Sequence, residues 1–243
     1  MRLEFYKKRE DQLAFGIVPA FRRYELYYAR FHEMRRALEP LQKSLGRPLR
    51  ILDVGSGIGD AHRFTADLCP GAEWVGIEID PLRARKCRDL GYAQVVEDVD
   101  LERDPLPFPE GRFDVVIASH VLEHLENAKE ALSDWHRVLA PGGVLLLGVP
   151  MHLGFIAALA RLRYRLFGRR PRRHCQFFSL RTLRRFLSGY LVRDLWGFRI
   201  LSARRQLPLE DFEWFYRASL WLGRRFPGLT QEVNVVLEKA PRD

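Results

Sequence analysis

Cysteine is scarce in this 243-residue chain, and the three that occur, Cys69, Cys87 and Cys175, are far apart. They form no C-x-x-C pair, which excludes a disulfide framework or a cysteine-built zinc site and points to a reducing compartment. Long apolar runs are missing too. None approaches the ~18 residues of a spanning helix, and the opening MRLEFYKKRED has no apolar stretch of the kind a secretory signal carries. The expectation is a cytoplasmic protein, in peripheral contact with the inner membrane surface at most. Low-complexity tracts and internal repeats are absent. With 47% hydrophobic and 29% charged residues, the composition fits a globular chain with a sizeable core.

Acids are missing from one region in particular. Residues 161–205 hold 14 Arg, no Lys and one acid, Asp194, so this stretch carries +13 of a net +9 and the rest of the chain sums to −4. Such a segment suits anionic lipid, nucleic acid, an acidic substrate, or simply a solvated Arg-rich face.

What the chain does have is a strand–helix rhythm. Residues 1–48 read as a helical cap, with Phe21, Tyr24, Tyr28, Phe31, Met34 and Leu38 recurring at spacings of three and four. From residue 49, short apolar runs alternate with helical stretches: LRILDV, AEWVGIEID, AQVVEDV, RFDVVIAS and VLLLGVP read as strands. Helices are expected over Arg83–Leu90 and Glu126–Leu139, the second ended by APGG. That order predicts an α/β, doubly wound, mostly parallel sheet. After Pro150, insertions at about 151–190 and 206–230 are expected on the substrate side. Ser179 is a candidate N-cap, and GFRILSARR (197–205) and EVNVVLEKA (232–240) read as late strands.

The sharpest local signal is ILDVGSGIGD, residues 51–60. A buried strand runs into three glycines spaced by two, which let a ligand approach the backbone at the carboxyl edge of the sheet. Glu78, ending the next strand, is suited to accept both hydroxyl hydrogens of a ribose. A dinucleotide fits poorly: its G-x-G-x-x-G pattern would place Asp60 at the third glycine, beside the pyrophosphate. S-adenosylmethionine carries a ribose and no phosphate, and its ammonium and sulfonium welcome acids such as Asp53.

At this point the chain resembles the class I S-adenosylmethionine-dependent methyltransferases, in the broad subgroup that includes ubiquinone and menaquinone biosynthesis methyltransferases. Five blocks carry the resemblance in order across about residues 49–150: ILDVGSGIGD, WVGIEID, VVEDVD, LPFPEGRFDVVIASHVLEHL and RVLAPGGVLLLGVP. It implies a Rossmann-like seven-stranded sheet with an antiparallel last strand. It also implies that Asp53, Gly55, Ser56 and Gly57 line the methionine end, Glu78 holds the ribose, and Ile79 packs on the adenine. Asp98 and the backbone of Val99 would meet the adenine edge, and Ser119 would lie near the methionyl end.

Methyl transfer from a sulfonium needs positioning and water exclusion, plus a base when the acceptor is a hydroxyl or an acidic carbon. His120, following strand four, is the first candidate base and His152, after strand five, the second; His124 and His174 are further candidates. The run His120-x-x-Glu123-His124 also spells the H-x-x-E-H zinc signature. A strand–helix loop does not place both imidazoles on one helical face, and zinc would leave the glycine loop unexplained, so no metal is expected. The acceptor expected is a small molecule or lipid-like compound methylated at O or C, with 153–173 resting on anionic membrane. The alternatives are an RNA methyltransferase using the Arg-rich segment and a non-enzymatic S-adenosylmethionine-binding protein. The sequence Ala118-Ser119-His120-Val121 stands where amine-methylating enzymes of this class carry N-P-P-[YF], which disfavours nucleic acid.

Overall fold

A computed structural model describes residues 29–167, 175–200 and 213–240. Seven strands form a single sheet: β1 (Arg50–Val54), β2 (Glu73–Ile77), β3 (Gln94–Val96), β4 (Phe113–Ser119), β5 (Leu139–Pro150), β6 (Leu191–Phe198) and β7 (Glu232–Glu238). Their order is β3-β2-β1-β4-β5-β7-β6. β1 to β5 pair in parallel, while β7 lies antiparallel between β5 and β6. The expected Rossmann-like sheet with one reversed strand is therefore present. The order reverses beside β1, leaving a crevice at the carboxyl ends of β1, β2 and β4 where ligands of open α/β sheets bind.

Both faces of the sheet are covered, so the central strands alternate between two cores. Leu52, Val54, Val116 and Ala118 pack on one side with Trp135 and Leu183. Ile51, Val115 and Ile117 pack on the other with Trp74, Trp196 and Phe198. Burying each such side chain contributes roughly 1.5–3 kcal/mol. This double burial is why the strands read as nearly unbroken apolar runs.

The helices among the described residues are α1 (Ala29–His32), α2 (Arg35–Leu45), α3 (Asp60–Thr65), α4 (Pro81–Asp89), α5 (Ala128–Arg137), α6 (Gly154–Phe167), α7 (Leu180–Phe186) and α8 (Glu213–Arg225). Met34 and Leu38 at and near the start of α2 are buried in the second core. The link from α2 into β1 is pinned by Asp114, which accepts paired hydrogen bonds from Arg47 and Arg50. Although burial opposes its charge, these guanidinium groups hold its carboxyl well below the usual range.

Some boundaries differ from the sequence reading. α4 begins at Pro81, because Asp80 caps it by accepting from the N–H groups of Leu82 and Arg83, and proline is well placed at the first helical position. APGG does not stand outside the sheet. β5 starts at Leu139, with a register shift against β4 near Phe113 and Gly142 at φ +74°. The sixth strand was expected at 197–205 and lies at Leu191–Phe198; residues 201–205 fall outside the described residues. The helical reading of 1–28 also falls outside them. Ser179 does cap α7, in a reciprocal capping box with Thr182.

Candidate functional site

The glycine loop leaves β1 at Gly55 and enters α3 after Gly59. Gly55 has φ +65°, and a Cβ there would lie 2.6 Å from Val121 Cγ2. Gly57 has φ +58°, and a Cβ there would meet nothing within 4 Å. The first glycine therefore permits close packing against the segment after β4, and the second faces open space. Glu78, just past β2, ties the crevice together. Its Oε2 accepts the Gly57 N–H at 2.8 Å and its Oε1 accepts the Asp80 N–H at 2.9 Å. Each oxygen keeps a lone pair for a ribose hydroxyl. Ile79 beside it is exposed, a free apolar face of the kind an adenine covers. Ser56 is buried, with Oγ 3.4 Å from Cys87 Sγ. Asp98 is exposed just after β3, and Val99 packs into the core.

Asp53 lies beneath this loop, nearly fully buried, and the hydroxyl of Tyr92 donates to its Oδ2 at 2.7 Å. Nothing in the sequence pattern singles out Tyr92. It reaches Asp53 because Gly76 of β2 has no side chain: a Cβ there would stand 3.2 Å from the Tyr92 ring. Burial pushes the Asp53 carboxyl up to about 7; the Tyr92 hydrogen bond works against the rise, and the charges of Asp60 and Glu78 add to it. A cationic ligand end nearby would draw it back down.

On the far side of the crevice, Ser119 ends β4 with its Oγ buried and without a hydrogen-bond partner. His120 follows in the left-handed region, φ 58°, anchored by its backbone N–H to the Gly148 carbonyl at 2.9 Å. The H-x-x-E-H run forms a 3-10 turn at Leu122–His124 rather than a helical zinc face. Among the described residues no group of three or more His, Cys, Asp or Glu could hold a metal ion.

Both nitrogens of His120 are committed to carboxylates. Nδ1 is 3.1 Å from Glu123 Oε1 and Nε2 is 3.5 Å from Glu232 Oε2, ion-pair distances without aligned hydrogen bonds. Glu123 is fully buried, and Glu232 at the start of β7 also pairs with Arg30 of α1 at 3.0 Å and with Arg199 at 2.5 Å. Burial and Arg30 disfavour a charge on His120, but the two carboxylates outweigh them and its pKa is raised. Glu123 and Glu232 are both lowered despite their burial, by His120 and, for Glu232, first by Arg30. Sequence reasoning does not single out Glu232 as the counter-charge of His120, from which it is separated by more than a hundred residues.

His152 presents the opposite chemistry. It lies two residues past β5, its backbone N–H bound to the Phe178 carbonyl at 2.8 Å and its ring 5.9 Å from the Phe177 ring. Burial alone lowers its pKa. Its Nε2 is buried with no hydrogen-bond partner. His124 lies 3.9 Å from Glu123, and His174 falls outside the described residues.

Three features fit S-adenosylmethionine: a carboxylate with spare acceptor capacity at Glu78, open space in front of Gly57, and the orphaned Ser119 hydroxyl. Comparison with known proteins agrees. A family model described as "Methyltransferase domain" matches residues 26–190. The chain is 38% identical over 116 residues to demethylmenaquinone methyltransferase of Thermus thermophilus, covering 46% of this chain and 51% of that protein. It is 33% identical over 107 residues to the chloroplastic tocopherol O-methyltransferase of Arabidopsis thaliana, covering 40% of this chain and 29% of that protein. The chain thus spans about half or less of these relatives' lengths, 51% and 29%. Among solved structures, an S-adenosylmethionine-dependent methyltransferase from Mesorhizobium loti superposes with a TM-score of 0.58 at 18% identity, covering 85% of this chain and 96% of that one, a likeness of fold. With more than half of its length inside the family match, the chain belongs to the methyltransferase domain family.

Proposed function

We propose that this chain transfers the methyl group of S-adenosylmethionine to carbon or oxygen of a lipid-like phenol or reduced quinone, with His152 as the base. In this reading Glu78 holds the ribose, and Ile79, Asp98 and the Val99 backbone frame the adenine. Gly55, Ser56, Gly57 and Ser119 surround the methionyl end, with Asp53 supplying negative charge from below. The bound sulfonium supplies a good leaving group, so the protein's task is to orient the acceptor, exclude water and remove one proton.

The observation that carries the assignment is the buried, unpartnered Nε2 of His152 beside Phe177. A lowered pKa keeps it neutral at physiological pH, so its lone pair is available. The sequence ranks His120 first, but the two carboxylates facing its ring nitrogens raise its pKa and favour the protonated form, which has no lone pair to offer. We assign His120 to positioning the loop after β4. Relatives named for a menaquinone precursor and for tocopherol support a phenolic or quinol acceptor carrying an apolar tail. Such acceptors reside in membranes, so the same reading places the chain at a membrane surface.

The test is methyl transfer from labelled S-adenosylmethionine to short-chain prenyl hydroquinones, their oxidised quinones, tocopherol-type phenols and RNA. Label in the reduced quinone or phenol supports the proposal. Label in RNA alone, or in none of them, refutes it.

A further inference from the structure

α6 follows β5 at the edge of the sheet where the acceptor side lies, and its apolar residues point the wrong way for a core helix. Phe155, Leu159, Leu162 and Leu166 are 73%, 66%, 53% and 67% exposed. Their spacings of four, three and four place them on one face of the helix. The face turned to the protein is marked by Ala157, which is fully buried. The helix is thus seated by a small residue and presents its largest apolar side chains to solvent.

The charged residues in the sequence of this helix are all of one sign. Arg163 is exposed one residue past Leu162, within about a quarter-turn of the stripe. The helix sequence also carries Arg161 and Arg165, and residues 161–205 contain 14 Arg against one acid. An apolar stripe with an exposed arginine beside it, on a helix without acids, is what an interfacial helix needs: apolar side chains at the level of the acyl chains and cations among the phosphates. No helix among the described residues is long and apolar enough to cross a membrane, so contact would be made along the surface.

We infer that α6 is a membrane-docking element whose stripe Phe155, Leu159, Leu162 and Leu166 enters the headgroup boundary of an anionic bilayer, guided by Arg163. The inference rests on the lipid-acceptor reading only for its purpose. Docking here would bring a membrane-held acceptor to the edge of the sheet where Ser119 and His152 lie.

The experiment is co-sedimentation of the whole chain with phosphatidylcholine vesicles, with and without about one third phosphatidylglycerol, at low and at about 0.5 M salt. The chain should bind the anionic vesicles at least about tenfold more tightly than the neutral ones, and salt should weaken the binding. Leu159→Gln/Leu166→Gln should lose about tenfold or more, and Arg163→Glu about threefold, with S-adenosylhomocysteine affinity and transfer to a water-soluble quinol unchanged. Equal binding to both vesicle types, or binding insensitive to Leu159→Gln/Leu166→Gln, overturns the inference. So does sedimentation equilibrium showing a concentration-dependent dimer that the same double variant abolishes, since a second copy would then be the occupant. Vesicle binding without methyl transfer to any quinol refutes the acceptor reading alone; transfer without vesicle binding refutes the docking alone.

Discussion

Asp53→Asn should make the ligand-free protein more stable at alkaline pH while impairing the site. The wild-type carboxyl rises from 3.8 to about 7 because it is buried beneath the glycine loop. A group with a raised folded pKa lends stability that is fully present below its unfolded pKa and lost as pH climbs through the folded one, here between about 4 and 7. At about 1.4 kcal/mol per pH unit, ionising it in place costs about 4 kcal/mol, of which about 3 kcal/mol falls between pH 5 and 8. Asparagine keeps an oxygen to accept the Tyr92 hydroxyl and never ionises. Urea unfolding of both proteins between pH 5 and 8 should show the wild type losing about 3 kcal/mol more than the variant. His120, also raised, adds a decline in the same direction above about 6.5, but it is common to both proteins and cancels in the difference. Parallel curves would mean that Asp53 does not ionise at a cost in the folded protein. S-adenosylmethionine should reverse the ranking, because its ammonium favours the carboxylate over the amide.

Gly55→Ala should cost about 2–4 kcal/mol, from the left-handed backbone and the overlap with Val121, measured by urea unfolding. Gly57→Ala, strained by its φ alone, should cost about 1–2 kcal/mol in the same assay; calorimetry should show the larger defect in S-adenosylhomocysteine affinity. His152→Gln should lower kcat about a hundredfold or more with little change in cofactor affinity, and the wild-type rate should fall at acid pH as His152 protonates. His120→Gln should destabilise by about 3–5 kcal/mol, because Glu123 is left buried without its cation.

The sheet was readable where burial is two-sided. β1 to β5 are apolar runs bounded by glycine, proline or charge, so their order and identity follow from the sequence. β6 was not, because Leu191–Phe198 lies at the sheet edge, carries Arg193 and Asp194, and is largely exposed until Trp196. At the candidate site, Glu78 and the glycines stand out in the sequence because their chemistry is local to a strand end. The pairings of Tyr92 with Asp53, through the gap left by Gly76, and of Glu232 with His120, from the reversed strand, do not stand out, since only the fold brings the partners together. The ranking of the histidines proposed here cannot be read from spacing either. It depends on which imidazole has carboxylates around it and which has none.

The proposal that the crevice beside Glu78 holds S-adenosylmethionine by its ribose is checked by calorimetry with S-adenosylhomocysteine, using the wild type and Glu78→Ala. Two charge-assisted hydrogen bonds to the ribose, at about 1.5–3 kcal/mol each, predict clear binding by the wild type and at least about a hundredfold loss in the variant. No heat from the wild type, or equal affinity in Glu78→Ala, would contradict it.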